Sequence, residues 1–188
     1  MSIEFIFVIL SSVFAIGCFL PYIRDIFKGK TKPHIYSWFI WFILQSIGVL
    51  AMYKSGAGLG IASLLIGTIF CFFIFTLSFK YGTKNIKIFD KVCLAGALLS
   101  IITYFFLHDI LLSVIVITIT DFIGFLPTFR KSYEEPDTET SLTYILSALS
   151  STFALFSLAI FSFTTSFYII SLIITNGLCA FIILYRRR

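Results

Sequence analysis

One acidic side chain interrupts a long apolar run in the segment VIVITITDFIGFLP. This residue is Asp121, and Pro127 follows it six positions later. A charge at the centre of a membrane helix costs about 2.5 to 3.5 kcal/mol on insertion scales, so such a group usually faces a cavity or a partner. Three interpretations are open: the carboxylate couples proton movement, it binds a substrate rich in hydrogen-bond donors, or it contacts a neighbouring hydroxyl group or water.

A second candidate surface combines aromatic and polar side chains in the segment SWFIWFILQ. Trp38, Trp41 and Gln45 are spaced at i, i+3 and i+7, so a helix places them on one face. Aromatic faces stack against sugars and planar rings, and the Gln45 amide would orient such a ligand. Tryptophan is common where a helix meets the membrane surface, which accounts for Trp38. We therefore predict that Trp41 and Gln45 contact a substrate.

Two further polar residues, Thr68 and Asn176, lie near the middle of other apolar runs. A buried amide needs partners for two donors and one acceptor, so Asn176 indicates a polar neighbour or a ligand. A packing contact between helices is the alternative for both residues. With Trp41, Gln45 and Asp121, they complete the predicted substrate-binding set.

Composition indicates the solvent in which these side chains must be positioned. Of the 188 residues, 59% are hydrophobic and 12% are charged. A soluble domain of this size needs a more polar surface, so the sequence predicts an integral membrane protein in a lipid bilayer. The apolar runs are long and do not alternate, which favours an all-α fold. Seven spans are predicted, over residues 3–23, 35–53, 59–79, 92–107, 110–129, 142–161 and 167–185.

Positive charge is distributed unevenly between these spans. Lys and Arg accumulate in cytoplasmic loops. With the N-terminus outside, thirteen of the fourteen Lys and Arg residues fall on the cytoplasmic side, and only Lys54 is left outside. The sequence therefore predicts an outer N-terminus and a cytoplasmic C-terminus. This orientation accounts for the net charge of +5 without any binding to nucleic acid.

The chain also contains an internal repeat. A shift of 106 residues places Pro21 on Pro127, and a shift of 108 places SLLIGTIFCFFI on SLIITNGLCAFI. Thr68 then pairs with Asn176, whereas Asp121 pairs with an alanine, so the acid is not required by a shared fold. Because an odd number of spans separates the copies, spans one to three and five to seven are predicted to run in parallel.

The repeat, the prolines and the basic loops resemble the SWEET and PQ-loop transporters. In PYIRDIFKGKTKPHIYSW, Tyr22 takes the place of the glutamine of the PQ-loop pattern, and the Lys30-Thr31 pair resembles its Lys-Ser or Lys-Thr. In PTFRKSYEEP, Thr128 takes the glutamine place, so neither copy has a true proline-glutamine pair. The resemblance covers nearly the whole chain.

This resemblance implies two parallel three-helix bundles joined by a linker helix, a 3+1+3 arrangement. Residues 1–80 would form the first bundle, 81–109 the linker helix with its loops, and 110–188 the second bundle. It also implies that Pro21 and Pro127 are hinges, although simple helix termination is an alternative. In SWEET transporters a pair of polar residues, typically asparagines, lines the central pocket; Asn176 matches this pattern and Thr68 departs from it.

The function implied is a transporter or facilitator of a small polar metabolite, such as a sugar, nucleoside, vitamin or amino acid. It would work by alternating access between the bundles, and passive and proton-coupled movement are both open. The alternative is a non-transporting receptor or adaptor with a SWEET-like fold. Resemblance to bacterial-type members implies the inner membrane of a prokaryotic cell. Homo-oligomerisation is left open.

No enzyme signature is found in the sequence. It has no phosphate loop rich in glycine, no cluster with metal-ligand spacing and no nucleophile beside a base, so we predict no catalytic residue, metal site or cofactor. Two features of the predicted cytoplasmic surface are not assigned to a site. His34 is expected to contact lipid headgroups or a loop, and the acidic run is expected to form a solvated turn. That run comprises Glu134, Glu135, Asp137 and Glu139.

Overall fold

Helices account for the regular structure of this chain. The computed structural model describes residues 3–54, 62–158 and 161–188, which contain no β-strand, so the all-α prediction is confirmed. The helices are α1 (Ile3–Gly17), α2 (Phe19–Phe27), α3 (Ile35–Lys54), α4 (Ala62–Tyr81), α5 (Ile88–Phe105), α6 (Ile110–Glu134), α7 (Ser141–Phe156) and α8 (Phe163–Arg186). A 3₁₀ turn, Pro136–Thr138, lies between α6 and α7. Residues 59–61 of the third predicted span and residues 159–160 of the sixth fall outside the described residues.

The two predicted hinge prolines occupy different local structures. The first predicted span is divided into α1 and α2 at Cys18, three residues before Pro21. Because proline has no N–H, Pro21 cannot donate to the carbonyl of Gly17, which is the last residue of α1. Pro127 instead lies inside α6, which continues for seven more residues to Glu134. The helix is therefore interrupted just before Pro21, whereas it continues through Pro127.

The outward faces of the helices are apolar. Within the described residues, four segments are long and apolar enough to cross a membrane: Phe5–Phe27, Ile88–Phe105, Leu111–Glu134 and Thr165–Arg186. Three shorter apolar helices are Ile35–Ile47, Leu65–Tyr81 and Ser141–Phe156. Large hydrophobic side chains on these faces are widely exposed, whereas several charged side chains are fully buried. Several long apolar helices of this kind are compatible with an integral membrane protein.

The contacts between helices follow a repeated pattern. In the first half of the chain, α4 packs against α1, α2 and α3; in the second half, α8 packs against α6 and α7. Between the halves, α1 and α2 pack against α7, and α6 packs against α3. Exchanging α1 and α2 with α6, α3 with α7, and α4 with α8 leaves this pattern unchanged. Helix α5 lies outside the pattern, packed against α3 and α6.

Segments that carry half of the fourteen Lys and Arg residues meet at one end of the molecule. The Lys32 N–H donates to the Thr138 carbonyl at 3.0 Å, and the Thr83 N–H donates to the Pro33 carbonyl at 3.1 Å. The side chain of Arg187, just after α8, donates to a carbonyl of the 3₁₀ turn. Helices α2, α4, α6 and α8 therefore end on the same side. We call this side the basic end; it comprises residues 28–34, 82–87, 135–140 and 187–188.

Candidate functional site

A cavity of about 350 Å³ lies between the two halves of the chain. Its volume is at the lower end of the range for small-molecule sites. Helices α1, α2, α3, α4, α6, α7 and α8 line it, and α5 contributes none of the described lining residues. The lining combines aromatic rings, hydroxyl groups, two amides and one carboxylate. The aromatic rings are those of Phe19, Trp38, Trp41, Phe125, Tyr144 and Tyr168.

Four of the five predicted substrate-binding residues line this cavity. They are Trp41 and Gln45 from α3, Asp121 from α6 and Asn176 from α8. The spacing on α3 therefore places Trp38, Trp41 and Gln45 on the lining face. Two of the polar groups have partners within the protein, because the Gln45 Nε2 lies 3.0 Å from the Cys71 sulfur and the Asn176 Nδ2 donates to a carbonyl of its own helix at 2.9 Å.

Thr68 is buried but does not line the cavity. On α4 the lining residues are Gly67 and Cys71, one turn apart, whereas α8 contributes Asn176 at the position equivalent to Thr68. Helices α4 and α8, which the repeat pairs with each other, thus present different faces to the cavity. Gly67 also makes room for Gln45, because a Cβ at this glycine would lie 2.5 Å from the Gln45 Oε1. A side chain at Gly67 would displace the amide.

Three polar atoms at the cavity wall are buried without a hydrogen-bond partner. They are Trp41 Nε1, Asp121 Oδ2 and Thr143 Oγ1. One interpretation of Asp121 was a structural hydrogen bond to a neighbouring hydroxyl group. The Oδ2 atom makes no such bond. An unsatisfied buried polar group costs about 1 to 3 kcal/mol, and more when it is charged. All three atoms belong to residues that line the cavity, but the atoms themselves are buried in this structure, and Trp41 Nε1 lies against Gly124 of α6.

Sequence reasoning missed the lining residues Phe125, Tyr168 and Thr143, and helical spacing connects the first two to the predicted set. Phe125 follows Asp121 by four positions on α6, and Tyr168 precedes Asn176 by eight on α8, so each lies on the same face as a predicted residue. Extending the predicted faces by one or two turns would have identified both. Thr143 precedes the lining residues Ser147 and Ser151 by one and two turns on α7, and the shift of 106 residues pairs it with Ser37, so the repeat offered a signal for it.

A buried hydrogen-bond network lies between the cavity and the basic end. The indole N–H of Trp38 donates to the Tyr22 hydroxyl at 3.1 Å, and that hydroxyl donates to Glu139 Oε1 at 3.3 Å. Tyr144 donates to the other Glu139 oxygen at 3.2 Å, and the Lys131 ammonium lies 2.9 Å from Oε1. Tyr22 belongs to the first half of the chain, and Lys131 and Glu139 belong to the second, so the network joins the halves. We call these five residues the closing network.

Glu139 was predicted to lie in a solvated turn, and this prediction is wrong. Its side chain and that of Lys131 are fully buried. Two tyrosine hydroxyls and one ammonium group satisfy the carboxylate, which is the condition under which a charge tolerates burial. The prediction holds better for Asp137 of the same run, whose side chain is 91% exposed.

His34 does not face lipid headgroups. Its side chain is fully buried, with Nε2 3.4 Å from Asp90 Oδ2 at the start of α5. Asp90 accepts two hydrogen bonds from the Arg130 guanidinium of α6, at 2.8 and 2.6 Å. This cluster attaches the predicted linker helix to the second half at the basic end. Burial lowers the pKa of His34 to about 4, against the opposing effect of Asp90.

The residues that follow the two prolines both make hydrogen bonds between the halves. Tyr22, after Pro21, reaches Glu139 of the second half; Thr128, after Pro127, donates to Ser37 Oγ of the first half at 2.8 Å. All of these polar side chains are buried. The positions that match the glutamine of the PQ-loop pattern therefore hold the basic end of the cavity together.

Comparison of this chain with protein-family models, with curated proteins and with solved structures gives no match. The resemblance to the SWEET and PQ-loop transporters therefore stays a prediction from the sequence.

Proposed function

We propose that this chain is a membrane transporter for a small polar metabolite, built as seven spans in a 3+1+3 arrangement. The repeated packing pattern supports two equivalent bundles, with α1 to α4 in one and α6 to α8 in the other. The common end of α2, α4, α6 and α8 supports a parallel relation between them. Under the positive-inside rule, the basic end is cytoplasmic.

The observation that carries the proposal is the set of three unpartnered polar atoms at the cavity wall. A purely structural cavity in a membrane protein would satisfy its polar groups internally, because lipid offers no hydrogen bonds. Here three lining residues from three different helices, Trp41, Asp121 and Thr143, each carry a polar atom that is buried without a partner in the described part of the protein. These atoms become accessible when the helices around the cavity move apart, and a solute with both donors and acceptors then supplies the partner.

Alternating access gives the closing network a role. A solute reaches the cytoplasm only when the wall between the cavity and the basic end opens. That wall contains Trp38 and Tyr144, which line the cavity and also belong to the closing network. Opening therefore requires the bond of Tyr22 to Glu139 to break, whereas Tyr144, Lys131 and Glu139 all belong to the second bundle and keep their bonds to one another. The buried ion pair would move with the second bundle.

Uptake into proteoliposomes tests the proposal. A panel of labelled sugars, nucleosides, vitamins, amino acids and organic amines would be compared for saturable uptake. We expect at least one to be taken up, and Asn176→Ala to weaken its apparent affinity up to about tenfold, as loss of one hydrogen bond predicts. Asp109→Asn is the matched control, because Asp109 caps the start of α6 outside the cavity and asparagine caps equally well. Saturable binding without any uptake would favour the receptor or adaptor.

Proton coupling is the second part of the proposal, and Asp121 is the residue to which we assign it. An unpaired carboxylate in a membrane interior is stabilised when a proton neutralises it. Uptake should then respond to an imposed pH gradient, and Asp121→Asn should abolish that response because the amide does not titrate. A response that persists unchanged in Asp121→Asn would contradict this assignment.

A further inference from the structure

The cavity wall carries charge of only one sign. Asp121 is the one acidic lining residue, and none of the described lining residues is Lys, Arg or His. The residue is only 3% exposed, yet one oxygen of its carboxylate has no hydrogen-bond partner. A solute with a net negative charge would find no counter-charge here and would be repelled. A neutral solute would leave the carboxylate without a compensating charge.

Aromatic rings line the same cavity as this carboxylate. Trp41 packs against Phe125 with ring centroids 4.7 Å apart, and Trp38 meets Trp41 edge-on at 5.1 Å. Phe125 is one turn from Asp121 on α6. Tryptophan is the aromatic side chain that attracts a cation most strongly, and the attraction grows when the site is dry. An aromatic wall beside a carboxylate is thus suited to an ammonium group.

Most of the remaining polar lining groups already have partners. Ser12 and Ser150 donate to backbone carbonyls, at 2.9 Å in each case, as does the Asn176 amide. The Gln45 amide contacts a sulfur. Among the fully buried lining atoms, the unpartnered groups besides Asp121 are one indole N–H and one hydroxyl. The Ser151 and Tyr168 hydroxyls also line the cavity. A neutral polyol could bond to these groups, but it would leave the charge of the carboxylate uncompensated.

We propose that the solute bound in this cavity is a small organic monocation, held by an ammonium group at Asp121 and by the faces of Trp38, Trp41 and Phe125. This inference rests on the proposed function, because it names the substrate class of the same cavity. It also gives the carboxylate two alternative neutralising partners, the cation and a proton.

The tryptophans provide a direct measurement. The chain contains two tryptophans, and both line the cavity, so intrinsic fluorescence reports on its occupancy. The probes are choline and its neutral isostere 3,3-dimethylbutan-1-ol, titrated into purified protein in lipid nanodiscs. We expect a saturable change with choline and none with the isostere at the same concentrations. Asp121→Asn should weaken choline binding at least tenfold, and Asp121→Glu, which keeps the charge, should weaken it less.

The controls separate this inference from the proposed function. Asp109→Asn should bind choline as the native chain does, and the thermal unfolding of each variant checks that it is folded. Equal binding of the isostere, or choline binding unaffected by Asp121→Asn in a folded variant, would overturn the cation proposal. Saturable binding of a neutral or zwitterionic solute in place of choline would overturn it too, while leaving transport to the uptake assay. Choline binding without uptake of choline or any other solute would overturn transport alone.

Discussion

Two buried carboxylates in this protein have opposite surroundings. Glu139 has an ammonium group and two phenol hydroxyls within 3.3 Å, whereas Asp121 Oδ2 has no partner. The first arrangement satisfies the charge within the fold, so it is structural. The second leaves one carboxylate oxygen without a partner in the described protein, and this is why we propose a binding role for Asp121 and a structural one for Glu139.

The Lys131–Glu139 pair should be sensitive to the loss of one partner. Glu139→Ala leaves the Lys131 ammonium buried and unpaired, which typically costs about 3 to 5 kcal/mol. We expect a clearly lower melting temperature in detergent, and partial recovery in the double variant Lys131→Met with Glu139→Leu, where no charge remains. Asp137→Ala, in the same acidic run but exposed, should melt close to the native chain. Equal melting of Glu139→Ala and Asp137→Ala would contradict the importance of the pair.

His34 should make stability depend on pH in a defined window. Burial, assisted by Arg130 and Lys131, lowers its pKa from 6.5 to about 4, and Asp90 opposes the shift. Between pH 6.5 and 4 the unfolded chain binds a proton here that the folded chain does not, so stability falls as the pH is lowered, by up to about 3 kcal/mol. Above pH 6.5 both states are neutral and the contribution is constant.

Melting temperatures measured from pH 7.5 to 4 test this prediction. His34→Gln should lose less stability on acidification than the native chain, because its side chain does not titrate. The other histidine, His108, is exposed, and His108→Gln should retain the native pH dependence. An identical slope in His34→Gln and the native chain would show that the pH dependence arises from the carboxylates instead.

At the scale of the helices, the two prolines differ in what they interrupt. The helix is broken before Pro21, whereas α6 continues through Pro127. A proline in a helix interior removes one hydrogen bond and costs about 3 kcal/mol in a soluble helix, less where neighbours satisfy the freed carbonyl. Both prolines precede a residue that bonds to the other half. Straightening either helix would therefore move a contact between the halves.

Replacing Pro127 tests the hinge hypothesis. Pro127→Ala gives α6 an additional N–H for the carbonyl of Ile123, so the melting temperature should be equal or higher. If α6 must bend during transport, the rate of uptake should nevertheless fall several-fold, and Pro21→Ala should act in the same direction. Pro136→Ala, in the 3₁₀ turn, is the control and should leave the rate near its native value. Higher stability with an unchanged rate would support simple packing or helix termination.

For the molecule as a whole, charge and packing give the same orientation. The loops after α2, α4 and α6 meet at the basic end, and positive loops remain on the cytoplasmic side because their translocation is disfavoured. The loop between α5 and α6 lies at the other end and contains His108 and Asp109. The proposed orientation therefore exposes His108 to the outside and Lys84 to the cytoplasm.

Cysteine labelling tests this orientation. All four native cysteines are buried, so introduced cysteines should dominate the reaction with an impermeant maleimide. We expect His108→Cys to be labelled in intact cells, and Lys84→Cys to be labelled only after the membrane is made permeable. Both positions are exposed in the fold. The reverse pattern would invert the orientation, and labelling of both in intact cells would contradict the separation of the two ends.

The sequence alone determined where the helices lie and which residues share a face. These properties are local: the length of an apolar run sets a helix, and its period aligned Trp38, Trp41 and Gln45 along the cavity. Asp121 and Asn176 were identified because an isolated polar group in an apolar run is costly wherever it points. Repetition of the proline segments also predicted two equivalent halves, and the helix contacts are compatible with this prediction.

Tertiary structure alone decided which faces meet. Helices α4 and α8 present different faces to the cavity. Gly67 therefore lines it and Thr68 does not, although the repeat pairs Thr68 with the lining residue Asn176. Glu139 appeared to belong to a solvated turn until its partners from distant helices were known. The helical period fixes the direction of a side chain relative to the axis of its own helix. The neighbour that it meets across an interface depends on how two remote segments rotate and pack. Pairs more than a hundred residues apart, such as Tyr22 and Glu139, have no local pattern that predicts them.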